Sequence, residues 1–457
     1  MAIKKSISGM RGTIGGVPGE NLTPIDIVEM TAAYAQWIME SGHPRKVVVG
    51  RDGRISGPLV SSLAINTLLS MGLDVVDLGL STTPTVEMAV PAELAGGGIV
   101  FSASHNPKEW NALKLLNEKG EFISQKAGTA ILKIAEKRNF SFAGVDDLGK
   151  LTADDNYIDY HIKAILGLKV LNVLKIKQSL FKVVVDCVNS TGAISLPPLL
   201  QKLGCGYELI NAEMNGKFAH NPEPVPAHLG QLAKRVVETN ADLGIAVDPD
   251  VDRLVLVCED GSMFSEEYTI VAVSEFILSK TPGNTVSNLS STRALADITK
   301  QYKGKYQASA VGEVHVVNTM KKTKAIIGGE GNGGVIYPEL HYGRDALVGI
   351  AMILNLLADK KMTLSQLKET YPQYHIVKKS LKVSDDKTVK KYLQIIETAF
   401  KDEKLNKIDG LKIDWPDAWA HIRSSNTEPI IRIIAEAKSK EKAHSLVKKI
   451  LNLLDGK

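Results

Sequence analysis

The sequence predicts an α/β protein of several domains that ends in a smaller α+β unit. Its 457 residues exceed what one domain of about 100–200 residues accommodates, so three or four domains are expected. Apolar β-branched runs alternate with helical patterns through most of the chain, and after Val383 the order changes to helix, strand, strand and helix. These observations predict sheets covered by helices, followed by a separate C-terminal unit.

The βαβ rhythm is clearest near the start of the chain and recurs later. Residues 46–50, Lys-Val-Val-Val-Gly, predict a buried strand that precedes a helix over 56–71 and a short strand over 75–78. Residues 182–186, Lys-Val-Val-Val-Asp, predict a second such strand before a helix over 193–203. The echo indicates repeated α/β units, although chance similarity between two strands also explains it.

Polar stretches mark three candidate domain boundaries, at residues 145–155, 259–262 and 370–375. They divide the chain into segments 1–150, 151–258, 259–370 and 371–457. The last segment contains the predicted helices 388–400 and 441–454, and the lysines of the second helix favour a solvated face over a binding patch.

Composition and charge exclude several classes of protein. The net charge of +4 is small and no basic run occurs, so nucleic acid is not an expected partner. Neither a secretory signal nor a stretch of about 18 apolar residues is present, so we expect no membrane span and a cytoplasmic protein. The three cysteines favour buried thiols in a reducing compartment.

The first chemical motif is Ser-Ala-Ser-His-Asn-Pro at residues 102–107. It follows the strand-like run 98–101, and Pro107 marks a turn. A serine at the end of such a strand is often exposed to a cleft, so Ser104 is a candidate nucleophile. A polar turn without catalytic function explains the segment as well, whereas a serine hydrolase is disfavoured because the chain contains no Gly-x-Ser-x-Gly elbow.

The second motif, Asp-Pro-Asp-Val-Asp-Arg at residues 248–253, predicts a metal site. Side chains alternate along an extended segment, so Asp248, Asp250 and Asp252 are expected on one side. Their mutual repulsion favours a bound divalent cation, and all-oxygen ligation favours Mg²⁺ or Ca²⁺. A solvated acidic turn is the alternative.

An EF-hand has a similar spacing of carboxylates but does not fit. Arg253 occupies the position where that loop requires glycine, and the apolar run 254–257 predicts a strand where the loop would continue.

The third motif is glycine-rich, at residues 328–334. Residues 329–334 satisfy Gly-x-Gly-x-x-Gly, but the strand-like run 335–338 follows in place of the helix that a dinucleotide fold requires. We therefore predict a turn that approaches a ligand closely, with Glu330 and Asn332 bonded to sugar hydroxyls. A structural glycine turn is the alternative.

The fourth motif is Arg-Ser-Ser-Asn-Thr-Glu-Pro at residues 423–429, with Arg432 shortly after it. A guanidinium group beside hydroxyl and amide donors suits an oxyanion such as phosphate, although a plain polar loop is equally consistent with the segment alone. The four motifs together supply a phosphate carrier, a cation site, a polyol-binding loop and an anion site. Phosphoryl transfer requires this combination of positioning and charge neutralisation.

The chain resembles the α-D-phosphohexomutase family over nearly its whole length. The four motifs occur in the order in which that family has them. The resemblance implies three similar α/β domains with mixed sheets plus a C-terminal α+β domain, arranged around a central cleft. It also implies that phosphorylated Ser104 gives its phosphoryl group to the sugar, forming a hexose 1,6-bisphosphate that turns over and returns its other phosphate. The same bisphosphate is the expected activator.

Further residue roles follow from the resemblance. It implies one Mg²⁺ ion per active site, with Ser104 counted among its ligands beside the three aspartates. It implies Arg11 and Lys114 as further catalytic residues. His105 adjoins Ser104 and is a further catalytic candidate that could hydrogen-bond the phosphate, with a plain turn histidine as the alternative. Lys114 serves as a base only if its pKa is lowered, for example by Arg253 or by burial. The implied substrate-binding residues are Arg253, Glu330, Asn332, Arg423, Ser425, Asn426, Thr427 and Arg432.

Two departures from the family pattern concern the substrate. Ser424 replaces a proline usual in the phosphate loop. The sugar loop carries Asn332 and Gly334 where the family usually has serine and histidine, which removes a candidate base unless His341 compensates. Among phosphosugars we favour glucosamine phosphate, ahead of mannose or glucose phosphate. A non-catalytic sugar-phosphate-binding protein and a phosphatase are the other functions considered, and a monomer or homodimer is expected.

Overall fold

The computed structural model describes residues 3–6, 9–383, 385–424 and 430–454, which form four sheets. Three of them combine parallel and antiparallel strands, and the fourth is antiparallel throughout. The predicted architecture of three α/β domains and a C-terminal α+β domain is thereby confirmed. The boundaries at residues 150, 258 and 370 stay a prediction.

Domain 1 is built on a seven-stranded sheet. Its elements are β1 (Lys4–Ser6), β2 (Gly9–Thr13), α1 (Pro24–Glu40), β3 (Lys46–Arg51), α2 (Gly57–Ser70), β4 (Asp74–Leu80), α3 (Thr83–Ala92), β5 (Gly97–Phe101), β6 (Trp110–Leu116), α4 (Gln125–Lys137) and β7 (Leu151–Ala153). The strand order is β1-β2-β6-β5-β3-β4-β7. Strands β3 and β5 are buried along nearly their whole length because helices cover both faces of the sheet.

Domain 2 has a four-stranded sheet in the order β9-β8-β10-β11. Its elements are α5 (Tyr157–Leu166), α6 (Val173–Ser179), β8 (Lys182–Asp186), α7 (Gly192–Lys202), β9 (Gly206–Ile210), α8 (Gly230–Thr239), β10 (Leu243–Val247) and β11 (Leu254–Cys258).

Domain 3 has the corresponding order β13-β12-β14-β15. Its elements are α9 (Glu266–Lys280), β12 (Asn284–Asn288), α10 (Ala294–Gln301), β13 (Tyr306–Ser309), α11 (Glu313–Thr323), β14 (Ala325–Glu330), β15 (Gly334–Ile336), α12 (Ala346–Lys360) and α13 (Leu364–Glu369). Domains 2 and 3 share one continuous apolar core, to which β8, β10, α9 and α12 all contribute.

The three α/β domains contain the same four-strand unit. In each, three parallel strands are followed by one antiparallel strand, as β4-β3-β5-β6, β9-β8-β10-β11 and β13-β12-β14-β15. The two Lys-Val-Val-Val segments are β3 and β8, which hold the same position in this unit. The echo in the sequence therefore reflects repeated structure.

Domain 4 has a five-stranded sheet in the order β16-β20-β19-β18-β17. Its elements are β16 (His375–Lys382), α14 (Asp386–Ala399), β17 (Lys404–Asn406), β18 (Leu411–Asp414), β19 (Ala418–Ser424), β20 (Ile430–Ala437) and α15 (Lys440–Leu454). The domain has an apolar core of its own, which includes residues of both helices and of β20.

The part of the chain that the structure describes contains no helix long and apolar enough to cross a bilayer. All three cysteines are buried free thiols, as expected, and burial raises the pKa of Cys187 to about 12. Burial likewise raises the pKa of Cys205 and of Cys258 to about 11, which disfavours the thiolate form at neutral pH.

Candidate active site

The first three motifs occupy equivalent turns of the repeated unit. The Ser104 motif follows β5, the aspartate motif follows β10, and the glycine-rich motif connects β14 to β15. Each turn links the third parallel strand to the antiparallel strand, at the carboxyl end of that parallel strand. Ligands of open α/β sheets bind at this edge, so the fold brings three chemically different loops to corresponding positions.

Ser104 lies at the contact between domains 1 and 2. Its side chain is buried, and its Oγ donates a hydrogen bond of 2.5 Å to Asp248 Oδ2. Its backbone is in the left-handed region, with φ of 50°, and its N–H donates to Ser102 Oγ. Such strained backbone clusters at functional sites. Two motifs that are 144 residues apart in the sequence therefore meet at one hydroxyl group.

Arg54 organises the backbone around Ser104, although no local pattern in the sequence singles it out. Its guanidinium donates to the carbonyls of Ser104, Asn106, Pro107 and Trp110, and to the carboxylate of Asp52. Asp52 also accepts a hydrogen bond from the Ser102 hydroxyl. Because both charged groups are buried and multiply bonded, they fix the position of the serine loop.

The three aspartates converge as predicted, but through a turn and not along an extended segment. All three are fully buried, and oxygens from the three carboxylates lie within 4.8 Å of one another. Val251, with φ of 61°, reverses the chain between them. Asp250 Oδ1 and Asp252 Oδ1 find no hydrogen-bond partner among the described residues. Unpartnered buried carboxylate oxygens in an all-oxygen cluster fit a divalent cation such as Mg²⁺.

Lys114 lies on β6 and contacts the aspartates, but not in the state that the sequence argument required. Its Nζ donates to Asp250 Oδ2 and lies 3.4 Å from Asp252 Oδ2. Burial would lower the pKa of Lys114, but attraction to the two carboxylates outweighs burial and raises the pKa above its usual value. The condition for Lys114 to act as a base, a lowered pKa, is therefore not met, and its contacts favour the charged form.

Arg344 joins the aspartate turn to the glycine-rich turn, and the sequence motifs do not include it. Its guanidinium donates to Asp252 at 2.7 Å, to Glu330 at 3.0 Å and to Glu313 at 2.9 Å. Its side chain is buried, so water has little access to these three ion pairs. Arg344 thereby fixes the distance between the candidate metal and sugar loops.

The two polar residues of the glycine-rich turn have different surroundings. Glu330 is buried, and besides Arg344 it accepts hydrogen bonds from Asn288 Nδ2 and the Gly312 N–H. Asn332 is half-buried, and its Oδ1 accepts from the Gly334 N–H. Asn332 is therefore the more accessible of the two to a ligand in the cleft.

His105 and Arg11 lie beside the serine. His105 Nδ1 is 3.3 Å from Ser104 Oγ, and burial together with Arg253 and Arg11 holds the pKa of this imidazole well below its usual range. Arg11 Nη1 donates to Asn106 at 3.4 Å. Arg253 lies 3.8 Å from Asp252 and 4.0 Å from Asp248. A neutral imidazole and several cations thus surround the hydroxyl group, which favours a bound anion.

His341, the candidate substitute for the histidine missing from the sugar loop, contacts two carboxylates. Its Nδ1 lies 3.3 Å from Glu87 and its Nε2 lies 3.3 Å from Asp345, in a buried cluster behind the aspartate turn.

The phosphate motif is described only in part, because Ser425, Asn426 and Thr427 lie outside the described residues. Arg423 and Arg432 are cross-strand neighbours on β19 and β20 at the two ends of that segment. Arg423 donates to Asp409 at 3.0 Å, and Asp409 also accepts from the Val311 N–H. The next residue, Gly312, donates to Glu330, so short links connect the phosphate motif to the sugar loop.

Family comparison agrees with this arrangement along the whole chain. Four models of phosphoglucomutase/phosphomannomutase domains match: the α/β/α domain I at residues 3–142, domain II at 155–261, domain III at 265–374 and the C-terminal domain at 379–453.

Individual relatives extend over the same length. A phosphoglucomutase/phosphomannomutase of Thermococcus kodakarensis is 35% identical, covering 97% of this chain and 98% of its own. A probable phosphoglucosamine mutase of Methanopyrus kandleri is 30% identical, covering 96% and 95%. The crystal structure of a Burkholderia thailandensis phosphoglucomutase/phosphomannomutase family protein has a TM-score of 0.85 and 26% identity, covering 99% and 98%.

Proposed function

The chain belongs to the phosphoglucomutase/phosphomannomutase family of α-D-phosphohexomutases, and on that premise we propose that it is a phosphoglucosamine mutase acting through phosphorylated Ser104. The reaction interconverts a hexose 1-phosphate and a hexose 6-phosphate. The alternatives within the family are mannose and glucose phosphates.

One observation carries the proposed role of Ser104, which is its hydrogen bond to Asp248. A hydroxyl group whose oxygen lies 2.5 Å from an oxygen of the aspartate cluster is placed to carry a phosphoryl group beside a bound cation. The surrounding cations favour the charge of about −1.5 to −2 that a phosphoserine adds. A serine in an ordinary polar turn requires neither feature.

Asp248, Asp250 and Asp252 would hold Mg²⁺, with Ser104 contributing once phosphorylated. The ion supplies charge neutralisation for the transferring phosphoryl group. The chain's own part is to hold two of these carboxylates, those of Asp250 and Asp252, in place. Lys114 and Arg344 do this through their direct contacts with Asp250 and Asp252.

The proposed reaction moves one phosphoryl group in each of two steps. First, the bond from phosphorus to Ser104 Oγ breaks and a bond to the free sugar hydroxyl forms, giving a hexose 1,6-bisphosphate and a free serine. After the bisphosphate turns over, the bond to its other phosphate breaks and Ser104 is phosphorylated again. As the sugar hydroxyl loses its proton, Ser104 Oγ takes one up. His105, a neutral imidazole 3.3 Å from Ser104 Oγ, is placed to exchange this proton, beside Asp248, whose Oδ2 lies 2.5 Å from the same oxygen.

Substrate contacts are assigned to two loops. Asn332 and Glu330 face the sugar, with Glu330 oriented by Arg344 and Asn288. The distal phosphate binds between Arg423 and Arg432, together with Ser425, Asn426 and Thr427. Arg11 and Arg253 contact the phosphoryl group near Ser104. One distal site serves both orientations of the bisphosphate, which the turnover requires.

Intact-mass spectrometry tests the role of Ser104. After incubation with a hexose 1,6-bisphosphate, the wild-type protein is expected to gain about 80 Da, one phosphoryl group, and Ser104→Ala is expected to gain none and to lose activity. Ser124→Ala, which removes a helix-capping hydroxyl on α4, is the matched control and keeps the added mass.

The outcome also separates the other functions considered. A wild-type protein that never acquires the phosphoryl group would indicate a binding protein without catalysis. Release of free phosphate in place of a product phosphosugar would indicate a phosphatase.

The preference for glucosamine phosphate is tested by rates with glucosamine, mannose and glucose 1-phosphates, each coupled to detection of its 6-phosphate. The highest kcat/KM is expected for glucosamine 1-phosphate. A rate with mannose 1-phosphate that equals or exceeds it would refute the preference while leaving the mutase activity intact.

A further inference from the structure

A second cluster of titratable side chains lies outside the proposed catalytic machinery, where domains 1, 2 and 3 meet. It contains His161 of α5, His341 after β15 and Asp345 at the start of α12. One ligand atom from each lies within 4.8 Å of the other two. Asp345 Oδ2 is 2.9 Å from His161 Nε2 and 3.3 Å from His341 Nε2. His161 and Asp345 are almost completely buried.

The second oxygen of Asp345 has a separate role that fixes the side chain. Asp345 Oδ1 caps α12 by accepting hydrogen bonds from the N–H groups of Leu347 and Val348. The carboxylate is therefore oriented by the helix, and its Oδ2 is directed at the two imidazole rings.

The far nitrogen of each ring faces an oxygen acceptor on α3. His161 Nδ1 is 3.0 Å from the hydroxyl of Thr85, and His341 Nδ1 is 3.3 Å from Glu87 Oε2. When histidine binds a metal through one nitrogen, the other usually donates to such an acceptor, which fixes the tautomer and the ring orientation. The His161 ring has that arrangement, and the corresponding nitrogen of His341 lies at ion-pair distance from Glu87.

Glu87 is confined beside the His341 ring by its surroundings. Its side chain is 1% exposed, yet neither carboxylate oxygen forms a hydrogen bond within the described residues, and His341 Nδ1 likewise has none. Gly343 packs so closely that a Cβ atom there would lie 1.8 Å from Glu87 Oε2. The carboxylate is thus confined 3.3 Å from His341 Nδ1, where it can orient that ring.

We propose that His161, His341 and Asp345 bind one divalent transition-metal ion of the Zn²⁺ type, with Glu87 and Thr85 orienting the two imidazoles. Two imidazoles and a carboxylate suit Zn²⁺ and its first-row neighbours, whereas Mg²⁺ prefers oxygen ligands alone. The charge also balances, because a divalent ion neutralises Glu87 and Asp345 while both imidazoles stay neutral.

The position of this site indicates a structural role. Its residues come from three domains, and the neighbouring backbone is bonded to the aspartate turn: the Thr83 N–H donates to the carbonyl of Asp250, and the Ala346 N–H donates to that of Val251. A metal ion here fastens the three domains together directly behind the proposed Mg²⁺ site. It takes no part in the transfer itself.

Cobalt titration of the full-length chain tests the proposal without measuring activity. Chelator-treated protein is mixed with Co²⁺ in excess Mg²⁺, which occupies the all-oxygen site, and the visible absorption of Co²⁺ is recorded. We expect one equivalent bound per chain, with a strong band that one equivalent of Zn²⁺ removes.

Variants assign the band to this cluster. His161→Gln and His341→Gln are expected to weaken Co²⁺ binding about 100-fold or more, and Glu87→Gln about 10- to 100-fold. The matched control is His220→Gln, another histidine paired with a buried aspartate, and it should bind as the wild type does. Zn²⁺ should raise the Tm of the wild type and leave that of His161→Gln unchanged.

Three results would overturn the proposal. One is a wild-type protein that binds no Co²⁺ under these conditions, which identifies the cluster as a hydrogen-bonded network only. Another is a band that both histidine variants retain. The third is a band with the thiolate signature of cysteine ligation. Circular dichroism and phosphorylation of Ser104 verify that each variant is folded. If a variant does not fold, the Co²⁺ titration of the wild-type protein still decides whether a metal ion binds.

Discussion

Arg54 holds the chain around Ser104 through four backbone carbonyls and one carboxylate. A planar guanidinium group can serve these acceptors at once because its five N–H donors point in fixed directions. An ammonium group is a point charge with three donors and cannot reach them all. The position of the serine therefore depends on the shape of this side chain as well as on its charge.

Arg54→Lys is accordingly expected to impair catalysis indirectly, by displacing Ser104. We expect the free energy of unfolding to fall by about 2–4 kcal/mol, because a buried ion pair is left partly unsatisfied. We expect kcat to fall about 100-fold, since small misplacements of a reacting group have effects of this size, with a smaller change in KM.

Denaturant unfolding and steady-state kinetics with a hexose 1-phosphate measure both effects. Arg235→Lys, in an exposed pair with Glu208, is the control and should change stability by less than about 0.5 kcal/mol. A kcat for Arg54→Lys within threefold of the wild type would contradict the positioning role.

At the scale of elements, the turn from β14 to β15 is packed against the strand that follows the aspartate turn. The Leu254 N–H donates to the carbonyl of Gly333 at 3.0 Å. Gly333 has a φ of +89°, and a Cβ atom there would lie 2.5 Å from the carbonyl oxygen of Leu254. Only glycine satisfies both conditions, so this residue allows the glycine-rich turn and the aspartate turn to approach each other.

Gly333→Ala is predicted to separate these two loops. The combined cost of the left-handed backbone and the steric clash is expected to lower the free energy of unfolding by about 2–4 kcal/mol and to raise KM for the phosphosugar. Thermal unfolding and kinetics measure these changes. Gly144→Ala is the control, because a Cβ atom there meets nothing within 4 Å and its φ is −69°, and it should be neutral or slightly stabilising. Equal stability of the two variants would refute the packing argument.

The sequence revealed those parts of the site that consist of consecutive residues. Ser104, Asp248 and Glu330 each lie at the end of a strand. Runs of apolar β-branched residues or glycines predict these strands, so the local sequence was enough to locate the three residues. Arg54 and Arg344 escaped detection because their partners are far along the chain: Arg54 bonds to residues about fifty positions away, and Arg344 is 92 residues from Asp252. The charge state of Lys114 could not be read from the sequence for the same reason, since its carboxylate partners belong to another domain.

At the scale of the whole molecule, domain 4 is attached differently from the others. Domains 2 and 3 share an apolar core, whereas domain 4 has its own core and reaches domain 3 through polar contacts. One of these is His421, whose Nδ1 lies 2.8 Å from Ser290 Oγ and whose Nε2 lies 2.6 Å from the carbonyl of Asp409. A carbonyl only accepts, so Nε2 carries the proton and Nδ1 accepts from the serine.

Acid is therefore expected to weaken this attachment. Burial lowers the pKa of His421 to about 4, against 6.5 for an exposed histidine. Between these two pH values the unfolded chain binds more protons than the folded one. The contribution of His421 to the free energy of unfolding is therefore complete above pH 6.5 and decreases as the pH falls. From pH 7 to pH 5 this histidine contributes a loss of about 2 kcal/mol.

His421→Gln should remove that part of the pH dependence. Unfolding free energies at pH 7 and pH 5 for both proteins give the difference, and His444→Gln, on the exposed face of α15, serves as the control. Identical pH dependence in the wild type and His421→Gln would show that the ring does not titrate as described.

The hydrogen bond between Ser104 and Asp248 also has a consequence for protein synthesis. The two residues are 144 positions apart, and a ribosome adding roughly 5–20 residues per second needs about 7–30 s to cover that distance. During this interval a nascent domain 1 presents its serine without the aspartate turn. If Ser104 carries the phosphoryl group as proposed, the nascent chain is therefore expected to acquire it only after the aspartate turn has been made and domain 2 has folded.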